Sequence, residues 1–257
     1  MNTATLPIRL ERLSYVVDSV RVLDDIDLGV QPGEIVGVMG RSGTGKTTLL
    51  RLIMGLIAPT AGRIYINGTD ITGFDEPELD EVRIDMGMVF QGAALFDSMT
   101  VAENVALPLV EHRRRAGGDQ AGWVAELLEM VAMSGSEDRM PAQLSGGMRK
   151  RVGIARALAL GPHIMLYDEP TAGLDPISAA AIDNLIQHLR ARVGVTSIIV
   201  SHDVQSLCRV CDRAAVLHEG RLLALAPIAE LEASPDAAIR QFLSGASEGP
   251  MTERGHH

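Results

Sequence analysis

Gly40-Arg41-Ser42-Gly43-Thr44-Gly45-Lys46-Thr47 is a complete Gly-x-x-x-x-Gly-Lys-Thr stretch, set between an apolar run, Glu34 to Met39, and a helix-like run, Lys46 to Ile57. The order strand, glycine turn, helix is what gives such a pattern chemical meaning. Glycines at 40, 43 and 45 let the main chain curl so that its amide N–H groups converge, and the following helix adds the positive end of its dipole. Anionic phosphates are the natural ligand. Lys46 has the reach for the outer phosphates and the Thr47 hydroxyl suits Mg2+. Arg41, Ser42, Thr44 and Thr48 complete the set of candidate nucleotide-binding positions. The competing reading is an ordinary glycine turn ahead of a helix, and two later stretches argue against it.

Leu144-Ser145-Gly146-Gly147-Met148 precedes another helix-like run, so Ser145, Gly146 and Gly147 form a second candidate anion site at a helix N-terminus. In Ile164-Met165-Leu166-Tyr167-Asp168-Glu169, apolar residues lead to Asp168, which should emerge at the carboxyl end of a buried strand, where α/β sheets bind ligands. Asp168 is suited to holding Mg2+, directly or through water. Glu169 is the candidate general base for an attacking water, because only a base within hydrogen-bond distance accelerates that step. Asp168-Glu169-Pro170 taken alone also reads as a simple turn. Gln91 closes the strand-like Met86 to Phe90 and is a candidate ligand or sensor of Mg2+ or water. His202 follows the strand-like Ser197 to Val200 and is a candidate donor to a terminal phosphate, although a lone histidine at a strand end is more often structural.

The 257 residues, with 46% apolar content, are enough to bury a core as one large domain or as a domain with an inserted lobe. A net charge of −10 argues against general affinity for nucleic acid, which needs a basic face to displace counterions. Basic clusters occur at Arg113-Arg114-Arg115, read as a solvated helix face, and at Arg149-Lys150-Arg151. No apolar run approaches the roughly 18 to 20 residues that a membrane-spanning helix requires, so a soluble chain is expected. Met1 to Arg9 has neither the apolar stretch of a signal peptide nor the composition of a transit peptide, which points to the bacterial cytoplasm. Cys208-Arg-Val-Cys211 lacks the second pair that a structural zinc site needs, and both thiols are expected to lie buried on the Leu207 face of a helix over Val204 to Cys211.

Strand-like alternation at Ile8 to Val16 and Val20 to Val30 implies an antiparallel N-terminal sheet, and Arg63 to Asn67 with Asn67-Gly68 reads as a strand followed by a turn. Between Gln91 and Leu144 the spacing turns helical, with Val101, Val105 and Leu109, then Val124, Leu127, Leu128 and Val131, separated by a loose Arg115 to Asp119 stretch. An inserted helical lobe over about 92–160 is expected. A helix from Ser145 to Leu160, a strand Ile164 to Tyr167, a helix Pro176 to Arg192 and a strand Ser197 to Val200 favour a mainly parallel core sheet with helices on its faces. Asp212 to Ala226 reads as a hairpin or as short strands around Glu219-Gly220, and about 227–250 is expected to form a C-terminal extension with an apolar stripe, Ile239, Phe242 and Leu243. The expected organisation is one domain over 1–250 and a tail over 251–257 that ends in His256 and His257.

These stretches, in this order, resemble the ATP-binding cassette (ABC) ATPases, whose fold is an α/β P-loop NTPase with an N-terminal antiparallel β subdomain and an inserted helical lobe. The resemblance covers Arg9 to about Pro250. It implies ATP with Mg2+ as ligands, Lys46, Gln91, Glu169 and His202 in catalysis, and Thr47, Gln91 and Asp168 at the metal. It also implies Tyr15 stacking on adenine, and a head-to-tail dimer in which Ser145, Gly146, Gly147 and Asp175 face the partner's nucleotide. Met148 departs from the family's usual glutamine, a loss typically worth about 1 kcal/mol per hydrogen bond, so nucleotide binding should survive it.

Within the family, Phe90 to Val101, Leu144 to Arg151, Asp175-Pro176-Ile177, Arg240-Gln241-Phe242-Leu243 and Glu248-Gly249-Pro250 resemble the ATPase subunits of MCE-type (Mla) lipid transporters. That resemblance implies an MlaE-like membrane permease, an MCE-domain partner and, in Mla systems, a small STAS-domain protein, with this chain at the cytoplasmic face of the inner membrane. It also suggests that the tail from Ser244 reaches across to the second ATPase subunit. The alternatives are an ABC ATPase for another cargo, a soluble ABC protein of translation or repair, and a P-loop scaffold that does not hydrolyse ATP. The last is opposed by the presence of Glu169 and His202.

Overall fold

The computed structural model describes residues 5–112 and 119–250, so the Arg113-Arg114-Arg115 cluster and the 251–257 tail lie outside the described residues. Two compact units are present, one formed by Met1–Phe74 with Ile198–His257 and the other by Asp75–Ser197.

In the first unit, β1 (Ile8–Val17) pairs antiparallel with β2 (Val20–Val30) and with β4 (Ala61–Ile66), which carries the short β5 (Thr69–Asp70). Ile8, Leu10 and Leu13 are buried on one face. The register shifts around Arg12, whose φ is +46°, and the bulge presses on β4 so closely that a Cβ at Gly62 would lie 2.3 Å from the Arg12 carbonyl oxygen. The second sheet of this unit runs β10 (Arg221–Pro227), β9 (Arg213–His218), β3 (Ile35–Met39) and then β8 (Thr196–Ser201), which enters the unit at Ile198. Every residue of β3 is buried, as suits a central strand covered on both faces. It runs parallel to β9 in the register Val36 to Arg213, and β9 turns through Glu219-Gly220 into antiparallel β10.

Helix α1 (Lys46–Ile53) is shorter than the spacing predicts, because Gly55 takes φ +66° just beyond it and its N–H donates back to the Leu52 carbonyl. Helix α7 (Val204–Val210) packs on β3, and Cys211 falls just past its end. The expectation of two buried thiols on one helix face is therefore corrected. Cys211 Sγ packs with Leu207 against Gly37, whereas Cys208 lines a separate cavity with Glu232 and Arg240, and both cysteines are half-buried. Helices α8 (Ile228–Glu232) and α9 (Ala237–Ser244) complete the unit. The Gln241 side chain, itself buried, donates to the Ala246 carbonyl and folds the segment after α9 back on the helix.

The second unit holds β6 (Met86–Val89), parallel to β7 (Ile164–Asp168) in the register Met86 to Ile164. The first strand stops one residue before Phe90, which is substantially exposed. Helix α2 (Glu76–Arg83), unforeseen in sequence, is set by a capping box between Asp75 and Glu78, and buries only Leu79. Helices α3 (Val101–Glu111), α4 (Gln120–Met130) and α5 (Gly146–Ala157) pack on one another, and the Trp123 indole donates to the Ala159 carbonyl at 2.9 Å. Helix α6 (Pro176–Val193) ends at Gly194 with φ +75°.

Tyr167, in β7, is fully buried, and its hydroxyl has no hydrogen-bond partner among the described residues. Burial pushes its ionisation well above the ordinary phenol value. An unsatisfied buried hydroxyl costs about 1 to 3 kcal/mol, so Tyr167→Phe should raise the unfolding free energy by about 1 kcal/mol, read as a higher urea midpoint with an unchanged slope.

Candidate nucleotide-binding and hydrolysis site

The residues singled out in sequence divide between the two units. In the first, the glycine loop leaves β3 and enters α1 with each glycine required for its own reason. A Cβ at Gly40 would lie 2.5 Å from the Leu217 carbonyl oxygen of β9, so the strand end leaves no room for one. Gly43 and Gly45 take φ +83° and +101°, a region that side chains disfavour. Within the loop the Thr44 N–H and hydroxyl both donate to the Arg41 carbonyl. Lys46 is buried, its ammonium donating to the carbonyls of Gly40 at 2.8 Å and Arg41 at 3.0 Å, which holds the charge over the concave side of the loop. Thr47 and Thr48 are half-buried in the first turn of α1.

His202 is exposed in the turn between β8 and α7. The buried Ser201 hydroxyl accepts from the Asp203 N–H, and Asp203 caps α7 by accepting from Ser206 N–H. His202 shares a cavity of about 840 Å3 with Arg41 and Ser42, so this unit brings the histidine and the glycine loop together. Tyr15 is half-buried in β1, opposite Leu23 of β2 and next to the exposed Val16 and Val17.

In the second unit, Asp168 closes β7 and is buried at 5% exposure; Glu169 follows at 8%, with φ +49°. Glu169 is thus a non-glycine residue in the left-handed region, a conformation that persists only where its surroundings hold it. The Glu169 carbonyl accepts from the Ala172 N–H and, at 3.0 Å, from the Lys150 ammonium. Gln91 lies beyond the end of β6 with its side chain exposed, and its carbonyl also accepts from Lys150. Lys150, in α5, is buried; desolvation pulls its pKa below the ordinary lysine value, opposed by the charges of Glu169 and Asp168.

Sequence reading missed Lys150, noting Arg149-Lys150-Arg151 only as a basic run and assigning it no role of its own. The run is split among main-chain acceptors: Arg149 donates to Leu144, Lys150 to Gln91 and Glu169, and Arg151 to Val131. Asn104 was missed as well. It is fully buried and donates to the carbonyls of Phe96, Met99 and Thr100 while accepting from the Phe96 N–H, which shapes the loop that carries exposed Phe96 and Asp97.

Ser145 is the N-cap of α5, its hydroxyl accepting from the Met148 N–H at 3.3 Å, and the expected helix start moves to Gly146 accordingly. The last turn reaches Ala157 rather than Leu160. Asp175 is the N-cap of α6, accepting from Ile177 N–H, Ser178 N–H and the Ser178 hydroxyl; the Ser178 hydroxyl bond leads in holding its carboxyl below the usual range.

The family profile described as ABC transporter matches residues 23–172. The chain belongs to the ABC transporter family. It is 42% identical over 233 residues to the intermembrane phospholipid transport system ATP-binding protein MlaF of Escherichia coli K12, spanning 91% of this chain and 87% of that one. It is 39% identical to the probable ribonucleotide transport ATP-binding protein mkl of Mycobacterium tuberculosis H37Rv, across 95% of this chain and 68% of the relative. Among solved structures, the dimeric post-hydrolysis cassette MJ0796 bound to ADP and Pi is 34% identical, with a TM-score of 0.78 over 86% of this chain and 98% of its own. The cassette cbiO1 from Clostridium perfringens superposes with a TM-score of 0.83 at 29% identity, covering 90% of this chain and 92% of its own. The α/β fold expected from the sequence is therefore the ABC cassette, and the chain is the ATP-binding, ATP-hydrolysing subunit of an ABC transporter. Among the described residues no helix is long and apolar enough to cross a membrane.

Because the Leu217 carbonyl blocks a methyl at position 40, Gly40→Ala should displace the loop and weaken ATP affinity at least tenfold while leaving secondary structure intact. Fluorescent-nucleotide titration with circular dichroism checks both parts.

Proposed function

We propose that this chain powers phospholipid movement in an MCE-type system, acting as a pair of copies at the cytoplasmic face of a membrane. The observation that carries this reading is 42% identity to MlaF over nearly the full length of both proteins. Ribonucleotide cargo, suggested by the name of the mycobacterial relative, has the lower identity and spans less of that relative. The implied partners are an MlaE-like permease, an MCE-domain protein and a STAS-domain protein. The loop that Asn104 shapes, with Phe96 and Asp97 outward, is the surface we assign to the permease.

On this reading, the glycine loop and Lys46 bind the phosphates of ATP, and Tyr15 stacks on adenine. The groups available to Mg2+ are oxygens, the Thr47 hydroxyl in the first unit and the buried Asp168 carboxylate and the Gln91 amide oxygen in the second. Hard oxygen ligands are what Mg2+ prefers, and when bound it would neutralise charge on the nucleotide phosphates. Glu169, at the end of β7, takes the proton of the attacking water, and His202 donates to the terminal phosphate. Ser145, Gly146, Gly147 and Asp175 address the nucleotide held by the other copy; the dimeric state of the MJ0796 cassette supports that arrangement.

Purification with the products of neighbouring genes, followed by mass spectrometry of bound small molecules, tests the cargo: phospholipid is expected, and nucleotide without lipid would overturn the reading. Glu169→Gln should retain ATP binding and lose hydrolysis at least a hundredfold, because it keeps the shape of the side chain and removes the base; a phosphate-release assay beside nucleotide titration reads the two effects separately.

A further inference from the structure

Along α5, Lys150, Gly153 and Arg156 are spaced three residues apart, which places them on one side of the helix. That side meets the segment following β6. The Lys150 ammonium donates to the Gln91 carbonyl, and the Arg156 guanidinium donates to the carbonyls of Ala93 and Ala94, both at 2.8 Å. Gly153 lets the helix approach, since a Cβ there would stand 3.2 Å from Ala93 Cβ. Ala93 and Ala94 take φ +60° and +48°, so this segment, like Glu169, is held in the left-handed region against its intrinsic preference. Lys150 reaches past the segment to the Glu169 carbonyl at 3.0 Å. One buried cation thus joins the carbonyl of Gln91, two residues before the strained Ala93, and that of the strained Glu169, 78 positions apart in sequence, to the helix capped by Ser145.

We propose that Lys150 is a positioning residue for ATP hydrolysis, holding the main chain at Gln91 and Glu169 in the conformations that cleavage requires and tying both to the helix that begins at Ser145. The proposal rests on the reading of Glu169 as the general base. Lys150 touches neither substrate nor water in this account. It acts through the direction in which the Glu169 side chain leaves a left-handed main chain. A shift of α5 would then be felt at both carbonyls together. The glycine loop and Lys46 do not depend on it, so ATP affinity is the quantity that should stay constant.

The test uses the full chain carrying Lys150→Met, Lys150→Gln or Glu169→Gln, assayed for steady-state ATP hydrolysis and for binding of a fluorescent ATP analogue. Methionine keeps the buried bulk and removes the donors; glutamine keeps an amide with two N–H groups and removes the charge. The expected result is a kcat at least tenfold lower for Lys150→Met, with KM and analogue affinity within threefold of the native chain, and recovery of most of that loss in Lys150→Gln. A native kcat in Lys150→Met overturns the proposal, as does a parallel loss of kcat and analogue affinity, which would mark a merely structural lysine. If Lys150→Met does not fold, Lys150→Gln carries the test: a kcat two- to tenfold lower with analogue affinity retained supports the two-carbonyl account, and a kcat equal to that of the native chain, or a parallel loss of affinity, overturns it. Glu169→Gln separates the two levels. Hydrolysis at the native rate in that variant removes the base and the role built on it, whereas an inactive Glu169→Gln beside a fully active Lys150→Met removes only the positioning role.

Discussion

Strands β3 and β7 are buried at every residue, and a strand covered on both faces has no place in its interior for an ionised side chain; β7 admits one, Asp168, only as its last residue. Its amides and carbonyls are taken up by neighbouring strands, and its side chains must fill space. Polar chemistry can begin only where such a strand stops. The glycine loop follows β3, Asp168 and Glu169 stand at the end of β7, Ser201 and His202 at the end of β8, and Gln91 just beyond β6. What each end can do is then decided by how closely the chain may approach itself there. The contact between Gly40 and the Leu217 carbonyl is the sharpest case, because a single methyl would be excluded.

Charge within these ends is managed by main-chain oxygen. Lys46 and Lys150 are both buried, and each ammonium is spanned by two carbonyls, those of Gly40 and Arg41 for the first and of Gln91 and Glu169 for the second. Burying an ammonium is unfavourable unless its protons are accepted, and desolvation is accordingly the leading influence on Lys150. The nearby carboxylates of Glu169 and Asp168 offset part of that penalty. Glu169, Ala93 and Ala94 adopt main-chain angles that cost about 1 to 3 kcal/mol each in residues with a side chain, and every one of them has its carbonyl held by a cation from α5. That pairing of strain with a dedicated donor distinguishes these positions from Asn67 and Glu219, whose positive φ values belong to tight turns between paired strands.

Much of the architecture was legible because its signals are local. Alternation in β1 and β2, the glycine spacing of the loop, the apolar run into Asp168 and the turn at Glu219-Gly220 each act within a few residues, where sterics and burial leave few solutions. Helix α2 escaped notice because only Leu79 among its residues is buried, so it has no apolar stripe; the Asp75 to Glu78 capping box was the available sign. The end of α1 at Ile53 was likewise written in Gly55, a left-handed stop.

The sequence alone determined the cassette family and the candidate residues for phosphate, because both are read from contiguous motifs. The tertiary structure alone decided what the basic run at 149–151 does. Three successive cations on a helix point about 100° apart, so whether they face water or carbonyls depends on what surrounds the helix on each side. Only the packing of α5 beside the Gln91 to Ala94 segment and the end of β7 turned Lys150 inward, and no pattern within the run itself records those neighbours.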